Sequence, residues 1–162
     1  MPGWARVSLS GAEILFSDRT GGVSAPPFDT ANAGYSRGDD PAAVAENRRR
    51  IGAGLGGRAA DPEAWTCLHQ VHGAQVHVPG TPSALAKVRS QRTSVNAQGA
   101  TGSALPAADA SVSADPDAVL AILTADCAPV ALVGPGVVGA VHAGWRGLAA
   151  GVVEAAVERV TE

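Results

Sequence analysis

Cysteine is scarce in this 162-residue chain: Cys67 and Cys127 are the only two, far apart and without a CxxC pairing. That is too few for a disulfide scaffold, and it suits a reducing compartment where a thiol stays free. Aromatic residues make up 4% and charged residues 17%, against 46% hydrophobic, so the chain reads as globular, with Ala and Gly doing much of the filling. A net charge of −3 leaves no electrostatic footprint for nucleic acid or an anionic membrane surface. No apolar run approaches a membrane span, and the N-terminal MPGWARVSLSGAEILF has neither a basic lead nor a long apolar centre. A cytoplasmic protein of one domain, residues 1–162, is expected.

What the chain does have is concentrated in residues 119–159, VLAILTADCAPVALVGPGVVGAVHAGWRGLAAGVVEAAVER. Residues 119–124, 130–133 and 137–141 are short apolar runs of strand length, and Gly134, Pro135 and Gly136 reverse the chain between the last two. A tight hairpin there places Cys127 opposite His142 to within about two positions. Opposed side chains have Cβ atoms ~4.5–5.5 Å apart, near enough for a thiolate and an imidazole to share a metal or a proton. A small buried cysteine and a core histidine at an ordinary turn fit the same spacing. Pro129 in the second run implies an edge strand or a bulge. After His142 comes AGWRG and a helical pattern, so Arg146 and the first helical N–H groups favour an anion there.

Earlier in the chain, alternation about Gly11 predicts an N-terminal hairpin, and residues 18–34 read as a fixed loop or a surface connection carrying Arg19 and Asn32. Asp39 or Asp40 before Pro41 predicts a helix start, with Gly56 and Gly57 as the stop. On that helix Val44, Ile51 and Leu55 form the apolar stripe, and Arg48 falls on it. An inward arginine needs a carboxylate, an anion or a route to solvent. Residues 65–71 read as a strand; His69 and His72 would then face opposite sides, so only one joins a given site, and His77 is unplaced. Residues 79–107, mildly basic through Lys87, Arg89 and Arg92, read as an inserted loop. Asp109 follows in ADAS as the one candidate for chemistry before the organising stretch.

RTGGVS, GDD with ENRRR, QVHG, ADAS, LTADCAPV and VHAGWRGLAAGV occur in that order, covering nearly all of residues 17–153 apart from the insertion. With them the chain resembles the YfiH-like, or laccase-domain, family. Its members have been described as copper polyphenol oxidases, as zinc-dependent purine nucleoside phosphorylases with adenosine deaminase activity, and as peptidoglycan editing factors. The resemblance implies an α+β fold with mixed or antiparallel sheet layers and flanking helices, near residues 41–55 and 147–160. Relatives normally continue past that last helix, so a domain incomplete at its C-terminus is expected.

The resemblance further implies a metal held by His72, Cys127 and His142, with one coordination position open, as a catalytic zinc requires. It implies catalytic roles for Arg48, Cys127 and His142, and binding of substrate or anion by Asn32, Arg48 and Arg146. The implied reaction is phosphorolysis of adenosine, inosine or methylthioadenosine, with zinc as cofactor and purine nucleoside and phosphate as partners. Three alternatives accompany it. One is a metal-free Cys127–His142 hydrolase acting on a cell-wall precursor amide. Another is a copper oxidase, for which one cysteine and a few histidines fall short of several coppers. The third is a shortened, inactive binding module.

Overall fold

An aspartate before a proline sets the first long element. The Asp40 carboxylate accepts from the N–H of Ala42 at 2.9 Å and opens α1, Pro41–Leu55. Gly56, at φ 85°, closes it by donating its N–H to the Gly52 carbonyl. The computed structural model describes residues 3–34, 38–80 and 105–162, so Lys87, Arg89, Arg92 and most of the predicted insertion lie outside the described residues. By its contacts the chain divides into two units, Met1–Trp65 and Thr66–Glu162.

In the first unit β1, Ala5–Leu9, and β2, Ala12–Phe16, pair antiparallel through a two-residue turn. Both turn residues, Ser10 and Gly11, have positive φ, the backbone twist that matches a tight hairpin. The buried face of α1 is Val44, Asn47 and Gly52, while Arg48 and Ile51 are half-buried. Asn47 had no place in the apolar stripe, yet it is fully buried and organises the loop before the helix. Its side-chain oxygen accepts from Val23 N–H at 2.8 Å. Its amide donates to Ser24 Oγ at 2.8 Å and to the carbonyls of Thr30 at 3.1 Å and Asn32 at 2.8 Å. Residues 18–34 are thus a loop fixed by a side chain, with Arg19 tied to the Asp29 carbonyl at 2.9 Å.

The second unit is built on a four-stranded sheet of β4 (Val76–His77), β5 (Ala110–Ser113), β8 (Val137–Ala143) and β7 (Ala128–Gly134), in that spatial order. β4 and β5 are parallel and the other pairs antiparallel, so the sheet is mixed, as expected of an α+β chain. The β7–β8 hairpin closes on Pro135 and Gly136, the latter at φ 73°. Pro129 lies in the edge strand, where its missing N–H breaks no ladder. Ala110, Val141 and Val130 are register partners and share one face; Val152 and Ala156 of the last helix pack with them as the core.

Three predicted elements come out shorter or divided. The helix expected at 147–160 is two: α2, Trp145–Ala149, and α3, Val152–Thr161, separated where Gly151 takes a left-handed φ of 82°. The strand expected at 65–71 is β3, Trp65–Thr66, and that at 119–124 is β6, Val119–Leu120. In both places side chains take over the backbone groups a ladder would have used. Asp109 accepts the N–H groups of Val71, His72 and Gly73, and Gln70 pairs with both backbone groups of Leu123.

Candidate metal centre

Three segments of the second unit bring their donors together: the QVHG turn, the end of the irregular stretch before β7, and the end of β8. The ligand atoms of His72, Cys127 and His142 all lie within 4.8 Å of one another. Hairpin register does part of this, since His142 is paired with Pro129, two positions from Cys127, as the short Gly-Pro-Gly reversal predicts. Cys127 Sγ is 3.9 Å from His72 Nε2, and the two imidazoles stand edge-on at 80° with centroids 4.7 Å apart. His142 is buried, Cys127 half-buried and His72 exposed, so the cluster opens on the His72 side.

Asp109 holds two of these segments at once. Its Oδ1 accepts from His142 Nδ1 at 2.8 Å and from His72 N–H at 2.8 Å, and its Oδ2 accepts from the N–H groups of Gly73 at 2.7 Å and Val71 at 3.2 Å. The carboxylate is fully buried. Burial alone would raise its pKa; the hydrogen bonds from the His142 ring and from Gly73, His72 and Val71 outweigh that and hold it below the ordinary value. An ionised carboxylate only accepts, so the Nδ1 of His142 is the donor in this bond, and Nε2 is the ring nitrogen left for a metal. The three backbone bonds, from Val71, His72 and Gly73, wrap the turn in which His72 has φ 61°, a left-handed conformation unusual for histidine.

The donor set fits a metal. Imidazole and thiolate are donors that zinc and copper both take, and zinc's bond lengths would put neighbouring tetrahedral donors about 3.4–3.6 Å apart. The 3.9 Å between Cys127 Sγ and His72 Nε2 lies a few tenths of an ångström above that range, and the widest separation, up to 4.8 Å, would have to close by about 1 Å. Gly144 leaves the room: a Cβ there would meet His72 Cδ2 at 3.0 Å, Cys127 Sγ at 3.1 Å and His142 Cε1 at 3.7 Å.

With this geometry in place, the sequence matches the multi-copper polyphenol oxidoreductase laccase family over residues 13–162. The chain belongs to this laccase-domain family. It is 46% identical over 149 residues to a purine nucleoside phosphorylase of Streptomyces griseus, covering 91% of this chain and 53% of that protein. It is 40% identical over 157 residues to the purine nucleoside phosphorylase YfiH of Escherichia coli strain K12, covering 95% and 54%. Among solved structures, a Neisseria meningitidis protein superposes with TM-score 0.74 at 29% identity, covering 98% of this chain and 57% of that one. The Bacillus licheniformis protein YfiH does so with TM-score 0.72 at 30% identity, covering 90% and 51%. The chain spans about half the length of the relatives it matches. Among its described residues no helix is long and apolar enough to cross a membrane.

The other predicted residues of this laccase-domain chain have defined surroundings. Arg48 donates from Nε to the Ala33 carbonyl at 2.8 Å, with its guanidinium 5.9 Å from the centre of the Trp65 ring. Asn32 donates to Asp39 Oδ2 at 3.0 Å. The Ser24 hydroxyl, then the Asn32 amide, hold the Asp39 carboxyl below its ordinary pKa against the effect of burial. Arg146 is exposed and lies over the ring of Trp145, 4.9 Å from its centre. The helix after His142 has only five residues, so positive charge at that end rests with Arg146 more than with a helix dipole. His69 bridges to Ala107 and His77 is half-buried in β4; neither joins the cluster. Gln70 and Gly144 escaped sequence reasoning as site residues, although both sit inside the motifs that carry the ligands.

Proposed function

We propose that the chain carries the zinc centre of a purine nucleoside phosphorylase, with adenosine deamination as a second activity. The observation that supports this best is the convergence of His72, Cys127 and His142, with donors within 4.8 Å of one another, and a buried carboxylate, Asp109, bonded to the Nδ1 of His142. His72 and His142 would hold the ion through imidazole nitrogens and Cys127 through its thiolate. The chemistry such an ion supplies is Lewis acidity. Asp109 keeps the Nδ1 proton of His142 engaged, so the ligand nitrogen stays available. Arg146, within the unit of the metal cluster, is the residue proposed to supply positive charge for phosphate; Arg48 and Asn32 of the first unit are proposed as anion-binding residues on their residue chemistry alone. In phosphorolysis a phosphate oxygen attacks ribose C1′ and the purine leaves with the bonding electrons. Copper oxidase chemistry would require further ligand sets, and His72, Cys127 and His142 form one such cluster among the described residues.

A second reading is the metal-free hydrolase, for which the sequence pairs Cys127 with His142; the 3.9 Å approach of Cys127 Sγ to His72 Nε2 makes His72 the imidazole proposed for that role instead. One assay separates the two: adenosine, inosine and methylthioadenosine given to the purified chain with and without phosphate. The expected result is phosphate-dependent release of free base, abolished by a chelator and restored by zinc. Inosine formed from adenosine without phosphate would report the deaminase. Arg48→Ala should keep zinc and lose the phosphate-dependent activity. Zinc-loaded chain that releases no base contradicts the phosphorylase reading, and chelator-insensitive activity blocked by thiol alkylation supports the hydrolase.

A further inference from the structure

The three ligand-bearing segments are joined in pairs, and each join has a different physical basis. The QVHG turn and the end of β8 are joined by the Asp109 carboxylate. The end of β8 and Cys127 are joined by the β7–β8 ladder, in which Ala128 pairs with Ala143 and Pro129 with His142. The remaining side of the triangle runs from Cys127 to the QVHG turn, and there the strand pairing is that of β3 with β6, which ends at Thr66 and Leu120, short of both ligands. Residues 121–127 have no regular secondary structure, so their backbone groups need other partners.

We propose that Gln70 is a positioning residue for the metal centre, its carboxamide fixing the segment that carries Cys127 against the turn that carries His72. Gln70 Nε2 donates to the Leu123 carbonyl at 2.7 Å, and Leu123 N–H donates to Gln70 Oε1 at 2.9 Å. A primary amide is the one neutral side-chain group that offers a donor and an acceptor in the spacing of a peptide. Gln70 therefore substitutes for a strand residue, two positions before His72 and opposite a residue four positions before Cys127. Beyond the β3–β6 pair, Ala121 N–H also donates to the Thr66 carbonyl at 3.0 Å, further along the chain from Cys127 than Leu123 is. Removing the amide leaves two half-buried backbone groups of Leu123 without their partner and frees Cys127 Sγ to drift from His72 Nε2.

The inference rests on the metal reading of the cluster, and its test tells the two failures apart. The full chain, stripped of metal, is titrated with cobalt(II) and, by chelator competition, with zinc(II). Wild-type protein should develop a thiolate-to-cobalt charge-transfer band; its absence would overturn the metal reading and this inference with it. Gln70→Leu keeps the shape and removes both hydrogen bonds. It should bind zinc roughly 10–100-fold more weakly and give a weaker or shifted cobalt band, as loss of an outer support of a metal ligand does. Gln70→Asn, which keeps the amide but withdraws it by one methylene, should behave in the same direction and serves if the leucine variant fails to fold. A merely structural role would lower the melting temperature of the metal-free protein while leaving affinity and cobalt spectrum at wild-type values. That outcome, in either folded variant, overturns the proposal.

Discussion

Asp109 and Gly144 both shape the ligand set, the first by hydrogen bonds to the His142 ring and the QVHG backbone, the second by having no side chain beside the donors. The carboxylate pulls the QVHG turn and the His142 ring together through four hydrogen bonds. The glycine leaves empty the volume into which the donors must converge. Gly144 has an ordinary φ of −72°, so alanine there meets no backbone strain and only the contacts with His72 and Cys127 resist it. Gly144→Ala is expected to weaken zinc binding on the order of tenfold or more, since a ligand set held open by a fraction of an ångström binds poorly. The melting temperature of the metal-free protein should change little. Chelator competition measures the first and thermal unfolding the second; wild-type zinc affinity would show that the cradle is irrelevant.

At the scale of elements, side chains that replace backbone partners define both units. Asn47 does for residues 18–34 what Gln70 and Asp109 do for the ligand loops. Asn47→Ala removes the partner of Val23 N–H and of three acceptors at a fully buried position. Urea unfolding should show a loss of about 2–4 kcal/mol, and a loss within the scatter of surface substitutions would refute its central place in the loop.

The same substitutions of side chain for ladder explain what could and could not be read from the sequence. The N-terminal hairpin, α1 with its Asp40 cap, and the Cys127–His142 approach followed from turn residues and register, which are local signals. The apolar runs at 65–71 and 119–124 are longer than the strands they form, because such runs do not reveal that Gln70 and Asp109, from a distance in sequence, take their hydrogen bonds. His72 was placed in a metal set by resemblance, not by periodicity. An unbroken strand over 65–71 would have offered a choice between His69 and His72; the break and the left-handed turn at His72 decide it. The helix break at Gly151 carried a signal, a glycine within a helical pattern, that the continuous period concealed.

For the molecule as a whole, all the groups of the candidate centre lie within one unit, residues 66–162: His72, Cys127, His142, Asp109, Gln70 and Gly144. Metal binding is therefore predicted for this chain as it stands, although it spans about half the length of its relatives. The most direct measurement is the zinc content of the purified chain after dialysis against metal-free buffer, beside Cys127→Ala and His142→Ala. About one zinc per wild-type chain, lost in both variants, is the result this account predicts from a three-ligand site. A wild-type chain that retains no zinc, or variants that retain as much as the wild type, would contradict it.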